Sequence, residues 1–317
     1  MGIRDIHTPV MLERCVELLG PALDHDGAVY VDGTLGMGGH SEAFLERFPG
    51  IRLVGLDRDP DALRIAGARL ERFASRTTLV HTVYDGIREA LASAGLERAD
   101  GVLYDLGVSS LQLDEAERGF AYAQDAPLDM RMDPTGGMTA ADVVAAYGEG
   151  DLRRIFERYG EEKLAGRYAR AIIAARAEAP IERSGRLVDI LQEATPSALK
   201  NAGHPAKRVF QALRIEVNGE LAALERAIPA ALASLAVGGR LVVLSYQSLE
   251  DRFVKRLFGE ATASKAPAGL PMELPEHAAE FRLLVRGAEL AGDEEAASNP
   301  RAKPVRLRAV ERVKEAA

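Results

Sequence analysis

The sequence predicts an α/β protein whose mostly parallel sheet is interrupted by a helical insert. Short apolar runs alternate with helical patterns through residues 1–110, helices replace this alternation in residues 111–208, and the alternation resumes in residues 209–317. Strands and helices that alternate at this spacing indicate βαβ units, which place their strands parallel in one sheet. We therefore expect the first and third segments to share one sheet and the middle segment to form a mostly helical insert.

The first segment contains the elements that predict the parallel strands. Its four apolar runs are predicted strands at residues 28–31, 52–56, 77–81 and 101–106. Predicted helices separate these strands at residues 40–48, 60–73 and 87–94. Pro60 supports the second helix, because proline fits the first turn of a helix. Each of the first three strands is thus followed by a helix that can cross over to the next parallel strand.

The other two segments are predicted from their prolines and their last apolar runs. Prolines at positions 180, 196 and 205 separate the helices predicted in the insert, at residues 140–147, 150–159, 163–178, 186–194 and from 206 onward. The third segment is expected to contain a continuous helix at 207–236, a strand at 240–245 and a helix at 249–258. Two final strands, expected to form a hairpin, lie at 281–286 and 305–310, and flexible loops are expected at 261–275 and 288–300.

The charge of the chain is acidic in total but basic in two segments. The net charge of −8 argues against a general nucleic-acid binder, because phosphate contacts depend on lysine and arginine. Residues 153–214 nevertheless carry thirteen basic and seven acidic side chains, and residues 299–314 carry six basic side chains and one acidic side chain. Such segments either bind RNA locally or form an ordinary solvated surface. We expect the insert and the basic C-terminal segment together to form an RNA-binding surface.

Three absences in the sequence narrow the class of protein. No apolar run reaches the ~18 residues of a membrane-spanning helix, so no membrane partner is expected. The first ten residues lack the basic-then-apolar pattern of a signal peptide. Cys15 is the only cysteine, which excludes an internal disulfide and a cysteine-rich zinc site and fits a reducing cytoplasm. We therefore expect a cytoplasmic protein with Cys15 as a small core residue.

A glycine-rich turn from Asp32 to Ser41 follows the first predicted strand. Its glycines allow a sharp turn and close approach to a ligand, and the next helix begins with free N–H groups. A dinucleotide turn requires G-x-G-x-x-G/A, and here Ser41 occupies the last position. A methyltransferase turn requires an acidic residue at the strand end and then a G-x-G step. Asp32, Gly36 and Gly38 supply these, although Thr34 replaces the usual earlier glycine.

Asp57 is the second indication of a nucleotide ligand. It ends the second predicted strand, where a carboxylate can accept hydrogen bonds from both ribose hydroxyls. Dehydrogenases use the same arrangement, so Asp57 indicates a nucleotide without specifying which one. The alternative is a tight turn without a ligand, in which Asp57 caps a helix. The turn and Asp57 together favour a nucleotide cofactor.

Several further strings resemble the bacterial 16S rRNA cytosine-N4 methyltransferase family. The strings follow one order over nearly the whole chain, at residues 7–10, 32–41, 105–110, 112–114, 117–120, 127–133, 204–205, 210–214, 248–252 and 299–301. The resemblance implies a Rossmann-like, class I S-adenosylmethionine-dependent methyltransferase core with an inserted helical domain that recognises RNA. It also implies S-adenosylmethionine as methyl donor and a cytidine of 16S rRNA near the decoding centre, within the 30S subunit, as substrate.

The resemblance also implies which residues contact the cofactor. Carried over position by position, these are Gly38, Gly39, His40, Asp57, Tyr84, Asp105 and Gln112. Two positions depart from the family pattern. Tyr84 stands where phenylalanine is common, which keeps an aromatic face for adenine or for the core. Gln247 stands where histidine is common, so a mechanism that needs an imidazole base at that position is in doubt.

Asp105 is the predicted catalytic residue. The N4 amine of cytosine is a poor nucleophile because its lone pair is delocalised into the ring, and a hydrogen-bond acceptor on N4–H would help to localise it. Other amino-methyltransferases carry a D/N/S-P-P-Y/F motif after the fourth strand, whereas this chain has Asp105 followed by Leu106 and Gly107. The sequence leaves three roles open for Asp105: proton acceptor, cofactor contact or cap of the next turn. His40 is expected to contact the cofactor rather than act as a base.

Other functions remain as alternatives at this stage. An amino-methyltransferase acting on DNA or another RNA is disfavoured by the missing proline pair. A non-catalytic ribosome-assembly factor would not need the set of Asp32, Gly36, Gly38 and Asp57. A nicotinamide oxidoreductase is disfavoured by Ser41. No metal is expected, since His7, Asp129 and Asp133 lack metal-ligand spacing, and the oligomeric state is left open.

Overall fold

The structure is a computed structural model that describes residues 9–199, 203–266 and 277–315. The strands are β1 Val29–Asp32, β2 Arg52–Asp57, β3 Thr77–His81, β4 Ala99–Asp105, β5 Leu235–Ser245, β6 Phe281–Leu283 and β7 Arg306–Arg312. The helices are α1 Leu12–Leu23, α2 Gly39–Arg47, α3 Pro60–Arg69, α4 Ile87–Ser93, α5 Ser110–Asp114, α6 Ala140–Ala146, α7 Glu149–Gly160, α8 Ala165–Glu178, α9 Ser184–Ala194, α10 Ala206–Asn218, α11 Glu220–Ser234, α12 Ser248–Ala261 and α13 Asp293–Ser298.

The chain divides into two compact units. The first unit comprises Met1–Gly107 with Ala222–Ala317, and the second comprises Val108–Leu221. The sequence predicted the corresponding boundaries at 110/111 and 208/209. The second boundary lies later because Val209, Phe210 and Leu213 of α10 are buried in the core of the second unit.

The first unit is a seven-stranded sheet in the order β3-β2-β1-β4-β5-β7-β6. Strands β1 to β5 are parallel, β7 is antiparallel to β5, and β6 is antiparallel to β7. The predicted Rossmann-like α/β fold and the predicted final hairpin are thereby confirmed. Asp32, Asp57 and Asp105 end β1, β2 and β4, so their side chains meet at one edge of the sheet. In such sheets, ligands bind beyond the carboxyl ends of the strands where the strand order reverses.

The central strands are apolar on both faces because helices cover both sides of the sheet. On one face, Tyr30 and Leu103 pack in a cluster that includes residues of α1 and α2. On the other face, Val31 and Val102 pack in a cluster with residues of α4, α11 and α12. Cys15 in α1 is fully buried, as expected of a core residue.

The second unit is helical, as expected for the insert. Helices α7 to α10 surround an apolar core, and each contributes a large buried side chain, namely Phe156, Tyr168, Leu187 and Phe210. No helix within the described ranges is long and apolar enough to cross a bilayer.

Two sequence predictions about secondary structure are wrong. The single helix predicted at 207–236 is two helices, because Gly219 adopts a left-handed conformation (φ +59°) that ends α10. The loop predicted at 288–300 contains α13, which begins with Asp293, Glu294 and Glu295. Acidic side chains stabilise the first turn of a helix, which explains this short element. The other predicted loop spans 261–275, and its residues 267–275 lie outside the described residues.

Candidate cofactor and active site

Asp32 stabilises the glycine-rich turn through hydrogen bonds to its side chain. Its carboxylate accepts hydrogen bonds from Ser41 Oγ at 2.6 Å and from the Thr34 N–H at 3.3 Å, and the residue is only 2% exposed. Burial raises the pKa of Asp32, whereas the hydrogen bond from Ser41 favours the ionised form. Asp32 therefore joins the end of β1 to the first turn of α2. Because both of these donors belong to the turn, we interpret Asp32 as a structural residue of the turn.

The turn needs glycine for two separate reasons. Gly38 precedes α2 in a left-handed conformation (φ +78°) that other residues rarely adopt. Gly33 leaves space for Tyr104, because a Cβ atom at Gly33 would lie 2.1 Å from the Tyr104 ring. Gly39 and His40 then form the first turn of α2, where backbone N–H groups have no partner within the helix.

Asp57 connects the turn after β1 to the turn after β2. Its Oδ2 accepts a hydrogen bond from the Gly36 N–H at 2.7 Å, and its Oδ1 accepts one from the Asp59 N–H at 2.8 Å. Asp59, not Asp57, caps α3 by accepting a hydrogen bond from the Asp61 N–H. Burial raises the pKa of Asp57 to about 6. Each oxygen has a second lone pair, so Asp57 retains acceptor capacity for a ligand.

Asp105 lies between two side chains that act on its different oxygen atoms. Tyr246 donates its hydroxyl to Oδ1 at 2.6 Å, and His40 Nδ1 lies 3.7 Å from Oδ2. The backbone N–H of Asp105 donates to Thr34 Oγ1 at 2.6 Å, which ties β4 to the glycine-rich turn. Burial raises the pKa of Asp105, and both His40 and Tyr246 act in the opposite direction. The Asp105 side chain thus lies against Tyr246 and His40, which argues against the third role left open by the sequence, that of a cap for the next turn.

Tyr84 follows β3 in a short turn and is half-buried. Its ring lies 5.4 Å from the Tyr104 ring at an angle of 51°, and the Tyr104 hydroxyl donates to its carbonyl at 3.1 Å. The backbone and ring of Tyr84 are thus held beside the residue that precedes Asp105. This geometry suits either of the two roles that the sequence leaves to Tyr84, stacking on adenine or packing in the core.

Gln112 belongs to the second unit, unlike the other predicted cofactor contacts. It lies in α5, where its backbone N–H donates to Ser109 Oγ at 3.3 Å and its Oε1 accepts from the Ser109 N–H at 3.1 Å. This reciprocal pair is a capping box, which stabilises the start of the helix. The structure thus assigns Gln112 a local role, and its contact with the cofactor stays a prediction.

The model of the MraW methylase family matches residues 4–313. The chain belongs to the MraW methylase family. This membership confirms the resemblance seen in the sequence and supports the predicted methyl donor, S-adenosylmethionine, over a nicotinamide cofactor.

Three curated relatives share the name ribosomal RNA small subunit methyltransferase H. The protein from Leifsonia xyli subsp. xyli is 69% identical, and the alignment covers 98% of this chain and 95% of the relative. The protein from Clavibacter michiganensis subsp. michiganensis is 68% identical and is matched over 99% of both chains. The protein from Nocardia farcinica is 62% identical and is matched over 98% of this chain and 97% of its own length.

Sequence reasoning missed Tyr246 as a site residue of this MraW family member. Tyr246 directly precedes Gln247, the position where the family commonly has histidine. The backbone N–H groups of both residues donate to Glu250 Oε2, at 2.8 and 3.0 Å, which fixes the start of α12. The sequence places Tyr246 directly after a predicted strand, but its contact with Asp105 depends on the pairing of β4 with β5. Thr34, which replaces a glycine of the usual turn, also gains a role in the structure because its Oγ1 accepts the Asp105 N–H.

No metal site is visible in the described parts of the chain. Within residues 9–199, 203–266 and 277–315, no group of three or more His, Cys, Asp or Glu side chains is arranged to hold a metal ion. Residues 7 and 8, which begin the first family string, lie outside the described residues.

Proposed function

We propose that the chain is an S-adenosylmethionine-dependent methyltransferase that methylates the N4 amine of a cytidine in 16S rRNA near the decoding centre. The observation that carries this proposal is Asp105, an acceptor carboxylate held between Tyr246 and His40 at the same sheet edge as the glycine-rich turn. Family membership and the name shared by the relatives support a small-subunit rRNA substrate.

The residues around the turn fit S-adenosylmethionine. Asp57 keeps free lone pairs on both oxygens for the two ribose hydroxyls, and the Gly38–His40 backbone supplies N–H groups at the start of α2. Tyr84 is the proposed support for adenine, and Gln112 is a further proposed contact. When bound, S-adenosylmethionine supplies a methyl group on a positively charged sulfur, which is a good leaving group.

Asp105 has the role that the N4 amine requires. It accepts the proton that N4 loses as the bond between N4 and the methyl carbon forms, and a proton acceptor of this kind contributes about 10²–10⁴-fold to a rate. The neighbouring His40 favours the ionised form of Asp105. Asp32 and Thr34 contribute indirectly, because they fix the turn and the backbone of Asp105.

The second unit is the proposed RNA-binding region. Arg167 and Arg170 on α8 and Lys207 on α10 are exposed. Arg170 forms a long, exposed ion pair with Glu149 at 3.5 Å, which water and salt weaken. Contacts from such side chains to phosphates would offset part of the few kcal/mol needed to take the target base out of its stack.

The proposal is tested by mapping the methyl group. The protein is incubated with methyl-labelled S-adenosylmethionine and either 30S subunits or naked 16S rRNA from cells that lack this modification. We expect label in N4-methylcytidine at one position near the decoding centre, identified by nuclease fragments and nucleoside mass spectrometry, and stronger labelling of 30S subunits. Label on carbon 5 of cytosine, or on another base, would overturn the assignment to N4. Asp105→Asn protein is the control for contaminating activity.

A further inference from the structure

The position of the hydrogen on His40 follows from its surroundings. His40 is 7% exposed, and its Nε2 lies 3.0 Å from the carbonyl oxygen of Val10. A carbonyl oxygen only accepts hydrogen bonds, so Nε2 carries the hydrogen. In a neutral imidazole the other nitrogen, Nδ1, is then an acceptor.

The two side chains beside Asp105 contact its carboxylate in different ways. Nδ1 of His40 lies 3.7 Å from Asp105 Oδ2, which is longer than a hydrogen bond. His40 lowers the pKa of Asp105 through an electrostatic interaction, and Tyr246 lowers it through a hydrogen bond. Asp105 can accept the N4 proton only in its ionised form, so the donor that favours this form matters for the proposed reaction.

Tyr246 favours the ionised form. Its hydroxyl donates to Asp105 Oδ1 at 2.6 Å, which is typical of a strong hydrogen bond to a charged acceptor. Burial and the Asp105 charge raise the pKa of Tyr246, so its hydroxyl keeps its proton at neutral pH. The bond also fixes the carboxylate plane and directs Oδ2 away from Tyr246.

The other titratable groups that act on this cluster do not replace Tyr246. Cys15 on α1 and Tyr30 on β1 remain neutral, because burial raises the pKa of both. Asp32 on β1 is acidic and would oppose ionisation of Asp105, not favour it. Glu250 on α12 is also acidic, and it accepts from the Tyr246 and Gln247 N–H groups.

We propose that Tyr246 is a positioning residue for the reaction: it holds Asp105 Oδ1 and keeps the carboxylate ionised at neutral pH. This inference rests on the proposed function, in which ionised Asp105 accepts the N4 proton. Tyr246 itself touches neither the cofactor nor the target base in this scheme.

The test compares Tyr246→Phe with wild type in two measurements. The first is the pH dependence of kcat for methylation. Loss of the donor raises the pKa of Asp105, so the acid limb of the profile should move upward by about one pH unit. At pH values above the shifted limb, kcat should recover to within about threefold of wild type, and the KM for S-adenosylmethionine should not change. A uniform loss of kcat at every pH would indicate a merely structural role and overturn the proposal.

The second measurement does not depend on activity. Aspartate carboxyl carbons are labelled with carbon-13, the Asp105 signal is assigned with Asp105→Asn, and its titration is followed by NMR. The apparent pKa should again rise by about one unit in Tyr246→Phe. If the signal shifts but wild-type protein leaves cytidine N4 unmethylated, the proposed function fails and the positioning role of Tyr246 stands. If wild type methylates N4 and neither measurement shifts, the positioning role fails alone.

Tyr168→Phe is the matched control. Tyr168 is likewise a tyrosine whose hydroxyl forms a side-chain hydrogen bond, at 2.8 Å with Thr195 Oγ1 in the second unit. The same atom is removed there without a carboxylate partner, so the acid limb and the Asp105 signal should remain as in wild type. A shift in both variants would show that loss of a buried hydroxyl, not loss of the bond to Asp105, moves the titration.

Discussion

The two units of the molecule use charged side chains in different ways. In the first unit, Asp32, Asp57 and Asp105 are largely buried, and hydrogen-bond donors fix the oxygens of each carboxylate. In the second unit, Arg167 and Arg170 stand exposed on α8. A site that aligns reacting atoms needs fixed groups, whereas a surface that follows a phosphate backbone needs accessible ones. The difference shows that the function of a charged residue cannot be inferred from the sequence until the partners of its side chain are known.

Not every basic residue of the insert is available to RNA. Arg176 donates to the carbonyl of Tyr147 at 2.7 Å, which ties α8 to the end of α6. Arg214 forms a paired hydrogen bond with Glu220 at 2.8 and 3.0 Å, and both side chains are largely buried. These arginines hold the second unit together. A charge-reversal experiment that included them would mix loss of stability with loss of RNA binding.

The basic C-terminal segment is also used internally. Arg306 and Arg308 on β7 pair with Asp251, whose side chain is only 8% exposed. Arg312 donates to the carbonyl of Leu235 at 2.8 Å and is itself buried. These arginines tie β7 to α12 and β5, so we now restrict the proposed RNA surface to the second unit.

The largest expected effect is that of Asp105→Asn. The amide keeps the shape of the side chain but cannot accept a proton as a carboxylate does, so methylation should fall by at least about 100-fold. The fold should survive, as circular dichroism and the Tm will show. Calorimetry separates the two roles of Asp105: unchanged S-adenosylmethionine affinity with lost turnover supports the proton acceptor. Turnover equal to wild type would contradict both the acceptor and the cofactor role.

Asp57→Ala should have the next largest effect. A lost hydrogen bond to a charged group weakens S-adenosylmethionine binding by about 1–3 kcal/mol. Unchanged affinity would mean that Asp57 only connects the two turns through Gly36 and Asp59. Asp57→Asn is the gentler control, because its remaining oxygen can still accept one of these backbone N–H groups.

The raised pKa of Asp57 adds a pH dependence with a definite sign. Since burial raises the pKa in the folded protein to about 6, the folded state binds the extra proton between the usual aspartate pKa and about 6. The contribution of Asp57 to the free energy of unfolding is therefore complete below the usual pKa and is lost as the pH rises through about 6. Cofactor affinity should change in the opposite sense and increase through the same window. Isothermal titrations should show no such step from this residue in Asp57→Asn.

The sequence predicted the sheet well because parallel strands carry a local signal. The strand predicted at 77–81 is β3 itself, and the ends of β1, β2 and β4 differ from prediction by one or two residues. The end of α10 was missed because an isolated glycine such as Gly219 is also tolerated within helices. The bond between Tyr246 and Asp105 joins residues 141 positions apart, so no local pattern contains it. It follows only from the pairing of β4 with β5, which brings both strand ends to one edge.

Charge reversal on the exposed face of the second unit should have a smaller effect. Arg167→Glu, Arg170→Glu and Lys207→Glu together should raise the KM for RNA. They should also reduce the slope of log Kd against log salt by about 0.7–0.9 for each phosphate that the protein no longer neutralises. S-adenosylmethionine affinity should stay unchanged. The comparison variant, Arg176→Gln with Arg214→Gln, should lower the Tm instead and leave the salt slope intact. An unchanged slope in the triple variant would contradict this RNA surface.

The smallest effects should come from two glycines that share a left-handed backbone but serve different units. Gly38 (φ +78°) begins α2 in the cofactor turn, and Gly219 (φ +59°) ends α10 in the second unit. An added methyl group at Gly219 would meet no atom within 4 Å, so Gly219→Ala costs only the backbone strain of about 1–2 kcal/mol. The Tm should fall by a few degrees while kcat and KM of the folded enzyme stay unchanged. Gly38→Ala carries the same backbone strain, but it should also weaken S-adenosylmethionine binding, since the strain lies in the turn that supplies the N–H groups. Equal effects on cofactor affinity in the two variants would contradict the assignment of the cofactor to the first unit, because Gly219 lies in the second unit.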